Sequence, residues 1–219
     1  MSLLEFARGP ALQVAFAIFV FGGVWRLSSL LLLPRAHDRS VARPGSLPGF
    51  LAALREIGRR TWPEKAFVKA SLFSTLNSYV FHIGLAIVVF GLAQHIVFLQ
   101  NLFGFSWPNL PSNVVGVVAV ITVASLVAAL VRRFTNPVLR LISTFNDSFS
   151  WLVTFLPVIT GLAAVAHLGA PYEKLLAVHI LTVALFLIWF PFGKLMHAFL
   201  VFVTRGQTGA FYARRGVEM

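Results

Sequence analysis

The chain has 219 residues, of which 58% are hydrophobic and 11% are charged, and its mean hydropathy is +0.84. Soluble domains are about 45–50% apolar and roughly 25% charged, so this composition excludes a soluble enzyme and predicts an all-α membrane protein. The chain contains no cysteine, which excludes disulfides, thiolate metal sites and iron–sulfur clusters carried on it. In a membrane protein, a net charge of +11 reflects the basic residues that set its topology, so we expect no nucleic-acid partner.

Five stretches are long and apolar enough to cross a bilayer, which takes about 20 residues of helix. They are 10–32, 76–99, 113–131, 149–168 and 175–202. The first is too long for the core of a signal peptide and lacks a small-residue cleavage site, so we expect it to remain in the mature protein. Pro157 and Pro191 are expected to kink the last two spans. The sequence thus predicts one membrane domain over 1–219, a five-transmembrane-helix bundle.

The positions of the basic residues predict the orientation of this bundle. All of the 18 Lys and Arg residues except Arg8 and Lys174 lie in the 34–75 loop, in the 132–140 loop, or near the cytoplasmic ends of spans one and five and in the tail. The loop at 100–112 contains none. Because basic residues collect on the cytoplasmic side, we expect the N-terminus outside and the C-terminus in the cytoplasm of a multi-pass inner (cytoplasmic) membrane protein.

The 34–75 loop contains a second helical pattern after the start signal at 46–49. Three interpretations remain open for it: a helix lying on the membrane surface, a solvated basic loop beside anionic lipid, and a docking platform for a cytoplasmic partner. The apolar residues of the pattern are Phe50, Leu51, Leu54 and Ile57, and the basic residues facing away are Arg55, Arg59 and Arg60.

Histidines are the most informative residues of the spans. His37 is expected to be solvated in the basic loop, whereas the other five lie in or at the ends of spans, where an unpaired polar side chain is costly. These five are His82, His95, His167, His179 and His197. The topology places His82 and His197 toward the cytoplasm, and His95 and His179 toward the outside. Two axial imidazoles from facing helices are what a low-spin b-type haem needs, so we expect two non-covalently held haems.

The spacing of the histidines within each span fits two haem sites better on span five than on span two. His179 and His197 are 18 residues apart, which in one helix means the same face and about 27 Å of rise. The 13 residues from His82 to His95 rotate a helix by about 220°, so His95 meets the outer site only if the helix relaxes near Gly91; otherwise His167 would serve. Asp147 starts span four, where we expect it to cap the helix.

Three motifs carry a family resemblance over most of the chain. They are Tyr79 to Gly84, Arg132 to Pro137, and His179 followed by Pro191 to His197. The chain resembles the gamma subunit of respiratory nitrate reductase, a membrane dihaem cytochrome b with five helices, and its relatives in sulfite-reductase-associated sulfur metabolism. The resemblance implies His82 and His197 as inner-haem ligands and His179 as an outer-haem ligand.

Two other site residues of the family have no match at the corresponding positions of this chain. The family's second ligand on span two lies ten residues after the first, where this chain has Leu92, and the family's lysine near the quinol pocket has no counterpart between Gln100 and Arg132. The longer 34–75 loop favours the sulfur-metabolism branch.

The expected function is electron transfer between the quinone pool and a cytoplasmic iron–sulfur subunit of an oxidoreductase complex. No residue of the chain is assigned a catalytic role. Four basic residues lie at the level of the inner-haem propionates, where each would equally serve as an anchor at the membrane interface. They are Arg26, Arg132, Arg133 and Lys194. The alternative is a haem-free transporter or assembly scaffold whose histidines join helices.

Overall fold

The computed structural model describes residues 1–34 and 41–217, and these ranges contain helices and no strand. The prediction of an all-α protein is confirmed. Arg35, His37 and Arg39, which the sequence predicts to lie in the cytoplasmic loop, fall outside the described residues.

Within those ranges, five helical segments are long and apolar enough to span a membrane, as the hydropathy predicts. They are Leu3–Leu31, Lys65–Gly91, Ser112–Thr135, Phe145–Val165 and Tyr172–Trp189. The chain is therefore a multi-pass membrane protein by the length and composition of its helices, while the side on which each terminus lies remains a prediction.

Most of the described residues lie in helices. The first span consists of α1 (Leu3–Phe6), a π-helical turn and α2 (Leu12–Leu31). The other helices are α3 (Gly49–Arg59), α4 (Val68–Gly91), α5 (Ala93–Phe103), α6 (Ser112–Thr135), α7 (Pro137–Ile142), α8 (Phe145–Val165), α9 (Tyr172–Trp189) and α10 (His197–Arg215).

The spanning helices pack in an open series. Helix α4 packs on α6, α6 on α8, α8 on α9, and α9 on α2, which leaves α4 and α2 at the two ends of the series. Small and polar residues make the closest contacts, as is usual between membrane helices. Asn77 of α4 and Ser125 of α6 exchange hydrogen bonds of 3.0 Å with each other's backbone carbonyls, and Gly84 lies directly against Thr122. Helix α4 is thus fixed through α6.

The second span ends earlier than predicted, because the helix breaks at Leu92. That residue has an extended backbone (φ −78°, ψ 129°), and α5 begins immediately after it. The loop that follows α5 supplies hydrogen bonds at the break: the Leu110 N–H donates to the Gly91 carbonyl at 2.9 Å, and Trp107 Nε1 donates to the Phe90 carbonyl at 2.6 Å. The continuous span at 76–99 is therefore wrong, since part of it is a separate helix.

The fifth span also ends early, at Trp189 and not at 202. Residues 190–193 form a turn around the fully buried Pro191, and one 3-10 turn precedes α10. Proline has no N–H for the helix ladder, which explains the interruption. His179 and His197 consequently belong to different helices, and the expectation of one helix face over 27 Å is wrong. Pro157, by contrast, lies inside the uninterrupted α8.

Helix α3 forms a layer with α10, defined here as the α3–α10 layer. Gly209 of α10 leaves so little room that an added Cβ would lie 2.6 Å from the Ala52 carbonyl oxygen of α3. Glu56 is buried beneath this contact and pairs with Arg59 (2.9 Å) and Arg60. The Arg59 hydrogen bond holds the pKa of Glu56 below its ordinary value of 4.5. The segment is therefore a packed helix and not a solvated loop.

Candidate functional site

The structure brings four of the membrane histidines together as two pairs. The inner pair is His82 with His197, whose ring centroids are 6.0 Å apart, and the outer pair is His95 with His179, at 6.1 Å. The ring planes are perpendicular (90°) in the inner pair and nearly parallel (21°) in the outer pair. Two imidazoles bonded to one metal ion at about 2 Å each have centroids roughly 6 Å apart, so both separations suit two axial ligands.

Each of these four rings has its Nδ1 next to a backbone carbonyl oxygen. A carbonyl only accepts hydrogen bonds, so Nδ1 carries the proton and Nε2 keeps the lone pair that binds a metal. This arrangement is typical of metal-ligating histidines, because the hydrogen bond fixes the tautomer and the orientation of the ring. The acceptors of His82, His197, His95 and His179 are the carbonyls of Ser78 (2.7 Å), Lys194 (2.8 Å), Val88 (2.9 Å) and Pro157 (3.1 Å).

The break in span two determines where the His95 ring lies. Its Nδ1 reaches back seven residues to Val88, a distance along the chain that the regular i to i−4 pattern of an α-helix does not provide. The reorientation expected near Gly91 is thus present, and it follows from the extended backbone at Leu92. His95 therefore meets His179 although an unbroken helix would carry it to another face.

His179 occupies a space that a glycine of the neighbouring helix leaves open. A Cβ added at Gly161 of α8 would lie 3.1 Å from His179 Cε1 and 3.2 Å from its Nδ1. The hydroxyl of Thr160 lies 3.4 Å from the same Nδ1. Helix α8 thus positions the His179 ring with the Pro157 carbonyl, with the Thr160 hydroxyl and with the space left at Gly161.

His167 does not join the outer pair. It lies in the turn between α8 and α9 with a positive φ of 54°, exposed, and its Nδ1 faces the Val165 carbonyl at 3.1 Å. Its ring contact is with Tyr172, at 5.2 Å between centroids. The geometry therefore favours His95 over His167 as the partner of His179.

The predicted basic residues gather at the end of the bundle that carries the inner pair. A cavity of about 400 Å³ is lined by Arg132, Arg133, Lys194 and His197, and a second of about 610 Å³ is lined by Arg26, Lys194 and His197. Both cavities also have apolar walls, which include Phe81 in the first and Leu200 in the second. His197 of the inner pair thus lines spaces that combine apolar surface with positive charge.

Asp147 does more in this region than the capping that the sequence predicts. It forms the expected capping box with Thr144, and its two carboxylate oxygens also pair with Arg133 at 3.2 Å and with Lys194 at 2.6 Å. An acidic residue at the start of a predicted span, at the same depth as basic residues of two other segments, was the available signal for these ion pairs.

No protein-family model matches the chain. A curated protein of Nitratidesulfovibrio vulgaris (strain Hildenborough) is 34% identical over 227 residues, which cover 98% of this chain and 96% of that protein. The chain belongs to the family of that protein. The relative carries only the name "Protein", which states no activity, so the site has to be interpreted from its own chemistry.

The donors at the two pairs fit a b-type haem. Each pair offers two imidazoles. Two protein ligands suit a macrocycle that supplies the remaining four nitrogens. The cationic cavity walls at the inner pair fit the carboxylates that such a macrocycle carries.

Proposed function

We propose that this chain is the membrane-anchoring dihaem b-type cytochrome subunit of a respiratory redox complex. It transfers electrons between the quinone pool and a cytoplasmic iron–sulfur or catalytic subunit, as the resemblance to the nitrate reductase gamma subunit and its sulfur-metabolism relatives implies. The observation that carries the proposal is the pair of histidine sites, with ring separations of 6.0 and 6.1 Å and every Nδ1 at a backbone carbonyl.

His82 and His197 would hold the inner haem, and His95 and His179 would hold the outer one. A bound haem supplies one-electron redox chemistry at each site. The carbonyl-bound Nδ1 protons make the imidazoles stronger donors and hold each ring in its ligating orientation. The polarity around each site would also tune the reduction potential.

The basic side chains at the inner site balance the haem carboxylates. Arg132 lies with its guanidinium 5.8 Å from the centre of the Phe73 ring, and Arg26 lines the neighbouring cavity. Arg133 and Lys194 already share one carboxylate, that of Asp147, so together they keep a net positive charge. Charge-assisted pairs with carboxylates are strong in such partly dry surroundings.

The partner binds at the end of the bundle where these cations lie. Several segments meet at this end of the bundle. The Lys194 backbone N–H donates to Asn146 Oδ1 at 2.9 Å, and Trp189 Nε1 donates to the Ser150 hydroxyl at 2.9 Å. The positive-inside rule makes this end cytoplasmic. Since the chain has no cysteine, the iron–sulfur clusters that continue the electron path belong to the partner.

Visible absorption tests the proposal directly. The purified chain, reduced with dithionite, should show the sharp α band of a b-type cytochrome and two haems per chain. Replacing His82 or His197 with alanine should remove one haem, and replacing His95 or His179 should remove the other. The matched control is His167→Ala, which should keep both.

A colourless but folded protein would refute the cytochrome and would favour the transporter or scaffold alternative. Unchanged haem content in both inner-pair variants would refute the inner assignment. Loss of haem in His167→Ala, with full content in His95→Ala, would refute the outer one.

A further inference from the structure

The carboxylate of Asp147 is the shielded centre of an ion cluster at the inner end of the bundle. Only 9% of its side chain is exposed. One oxygen accepts from Lys194 Nζ at 2.6 Å and from the Thr144 N–H and hydroxyl at 3.0 and 2.9 Å, and the other lies 3.2 Å from Arg133 Nη1. The cluster thus joins the end of α6, the start of α8 and the turn that precedes α10.

Lys194 connects this cluster to His197. Its ammonium group pairs with Asp147, its backbone N–H donates to Asn146 Oδ1 at 2.9 Å, and its carbonyl oxygen accepts from His197 Nδ1 at 2.8 Å. The carbonyl that orients the His197 ring is therefore on a residue that α8 holds at two other atoms.

Helix capping alone does not account for this arrangement. A cap needs only the contacts with Thr144. The contacts with Arg133 and Lys194 reach two other segments, and they place one negative charge between two positive ones, whose side chains are 31% and 55% exposed. The carboxylate itself is shielded, so its charge acts on a neighbouring redox centre with less screening than the charge of a fully exposed side chain.

We propose that Asp147 is a positioning residue for the inner haem: through Lys194 it fixes the His197 imidazole, and its charge lowers the reduction potential of that haem. The inference rests on the proposed function. A nearby carboxylate favours the oxidised haem, which carries one more positive charge than the reduced form, so removing the carboxylate raises the potential.

The test compares charge-changing variants in redox titrations of the purified protein. Asp147→Asn keeps an oxygen for the cap and removes the charge, so the potential of the inner haem should rise while that of the outer haem stays unchanged. Lys194→Gln removes a positive charge and should lower the inner potential. Asp147→Glu should return the potential toward the wild-type value. Glu173→Gln, in the first turn of α9, is the matched control and should change neither haem.

Hydrogen exchange gives a second measurement that does not depend on the haem. Loss of the Asp147 to Lys194 pair should increase amide exchange over residues 194–200 in both Asp147→Asn and Lys194→Gln, and leave residues 172–189 unchanged. Inner potentials that move in the same direction in the two variants would overturn the charge effect. Unchanged exchange would overturn the positioning effect.

The outcomes also separate this inference from the proposed function. A wild-type protein with two haems and an Asp147→Asn variant of identical potentials, spectrum and exchange would refute the inference alone. A wild-type protein without haem would refute the proposed function and, with it, the effect on potential.

Discussion

Gly84 is the point at which α4 comes closest to α6, and replacing it with alanine tests how this contact positions the inner pair. The added Cβ would lie 2.1 Å from Thr122 Oγ1 and 3.4 Å from Thr122 Cβ. Thr122 is fully buried, and its hydroxyl donates to the Val118 carbonyl at 2.8 Å. Helix α4 must therefore move away by about 1 Å to reach ordinary contact distances, and His82, two residues before Gly84, moves with it.

The expected cost of Gly84→Ala is that of overpacking, about 1–3 kcal/mol. Thermal unfolding in detergent should show a lower melting temperature, and reduced-minus-oxidised absorption should show loss of the inner haem with the outer one retained. Gly116→Ala on α6 is the control, because nothing lies within 4 Å of its added Cβ. That variant should be as stable as the wild type or slightly more, since alanine favours helix.

A second substitution should rescue the first. Thr122→Ala removes Oγ1 and leaves the 3.4 Å contact with Cβ, which is an ordinary van der Waals distance. The double variant should therefore regain stability and haem, with a coupling energy of about 1–2 kcal/mol in the double-mutant cycle. If Gly84→Ala behaves like Gly116→Ala, or if Thr122→Ala leaves the defect unchanged, the close approach of α4 and α6 does not position His82.

Four further predictions test other parts of the molecule. Trp107→Phe removes the hydrogen bond to the end of α4 at the break, so it should reduce outer-haem content and leave the inner haem intact in the same absorption assay; equal loss of both would contradict the role of the loop. Electron paramagnetic resonance of the oxidised protein should show a strongly anisotropic low-spin signal from the perpendicular inner pair and a rhombic one from the nearly parallel outer pair, and two identical signals would contradict the ring geometry. Because the Arg59 hydrogen bond lowers the pKa of Glu56, the stability this group gives the α3–α10 layer is present above pH 4.5 and is lost as the pH falls through the lowered value. Limited proteolysis of residues 41–64 should increase on acidification in the wild type, and Glu56→Gln should be susceptible at every pH; identical digestion profiles would contradict this. In this cysteine-free chain, a membrane-impermeant thiol reagent should label Ser106→Cys from outside and Thr208→Cys only after the membrane is opened, and the reverse pattern would invert the orientation.

Hydropathy was sufficient to predict the five spans, because a helix in hydrocarbon must satisfy its own backbone and present apolar side chains over about 20 residues. It could not predict the break at Leu92. The break coincides with hydrogen bonds from Trp107 and Leu110, which lie 15 and 18 residues after Leu92 in the chain. Pro191 predicted a kink in the fifth span, whereas the helix ends there, at Trp189.

Part of the candidate site could be predicted from the sequence for a similar reason. Alternating helix directions place His82 with His197 and His95 with His179 at matching depths, so topology predicted the inner pair but left His95 and His167 open as partners of His179. The carbonyl partners of their Nδ1 atoms, the space at Gly161 and the second role of Asp147 arise from contacts between helices. Such contacts have no periodic signal in one sequence.

The open series of helices has a consequence for how the chain is assembled during synthesis. The first span rests mainly on α9, the last span to be made, with Gly22 so close to Pro191 that an added Cβ would lie 2.6 Å from the proline ring. The second span rests on α6. The earliest two hydrophobic segments therefore wait in the bilayer for later partners, and His82 meets the His197 ring only after the last span and the turn before α10 have been made. Truncation before α9 would leave the first span without its main neighbour.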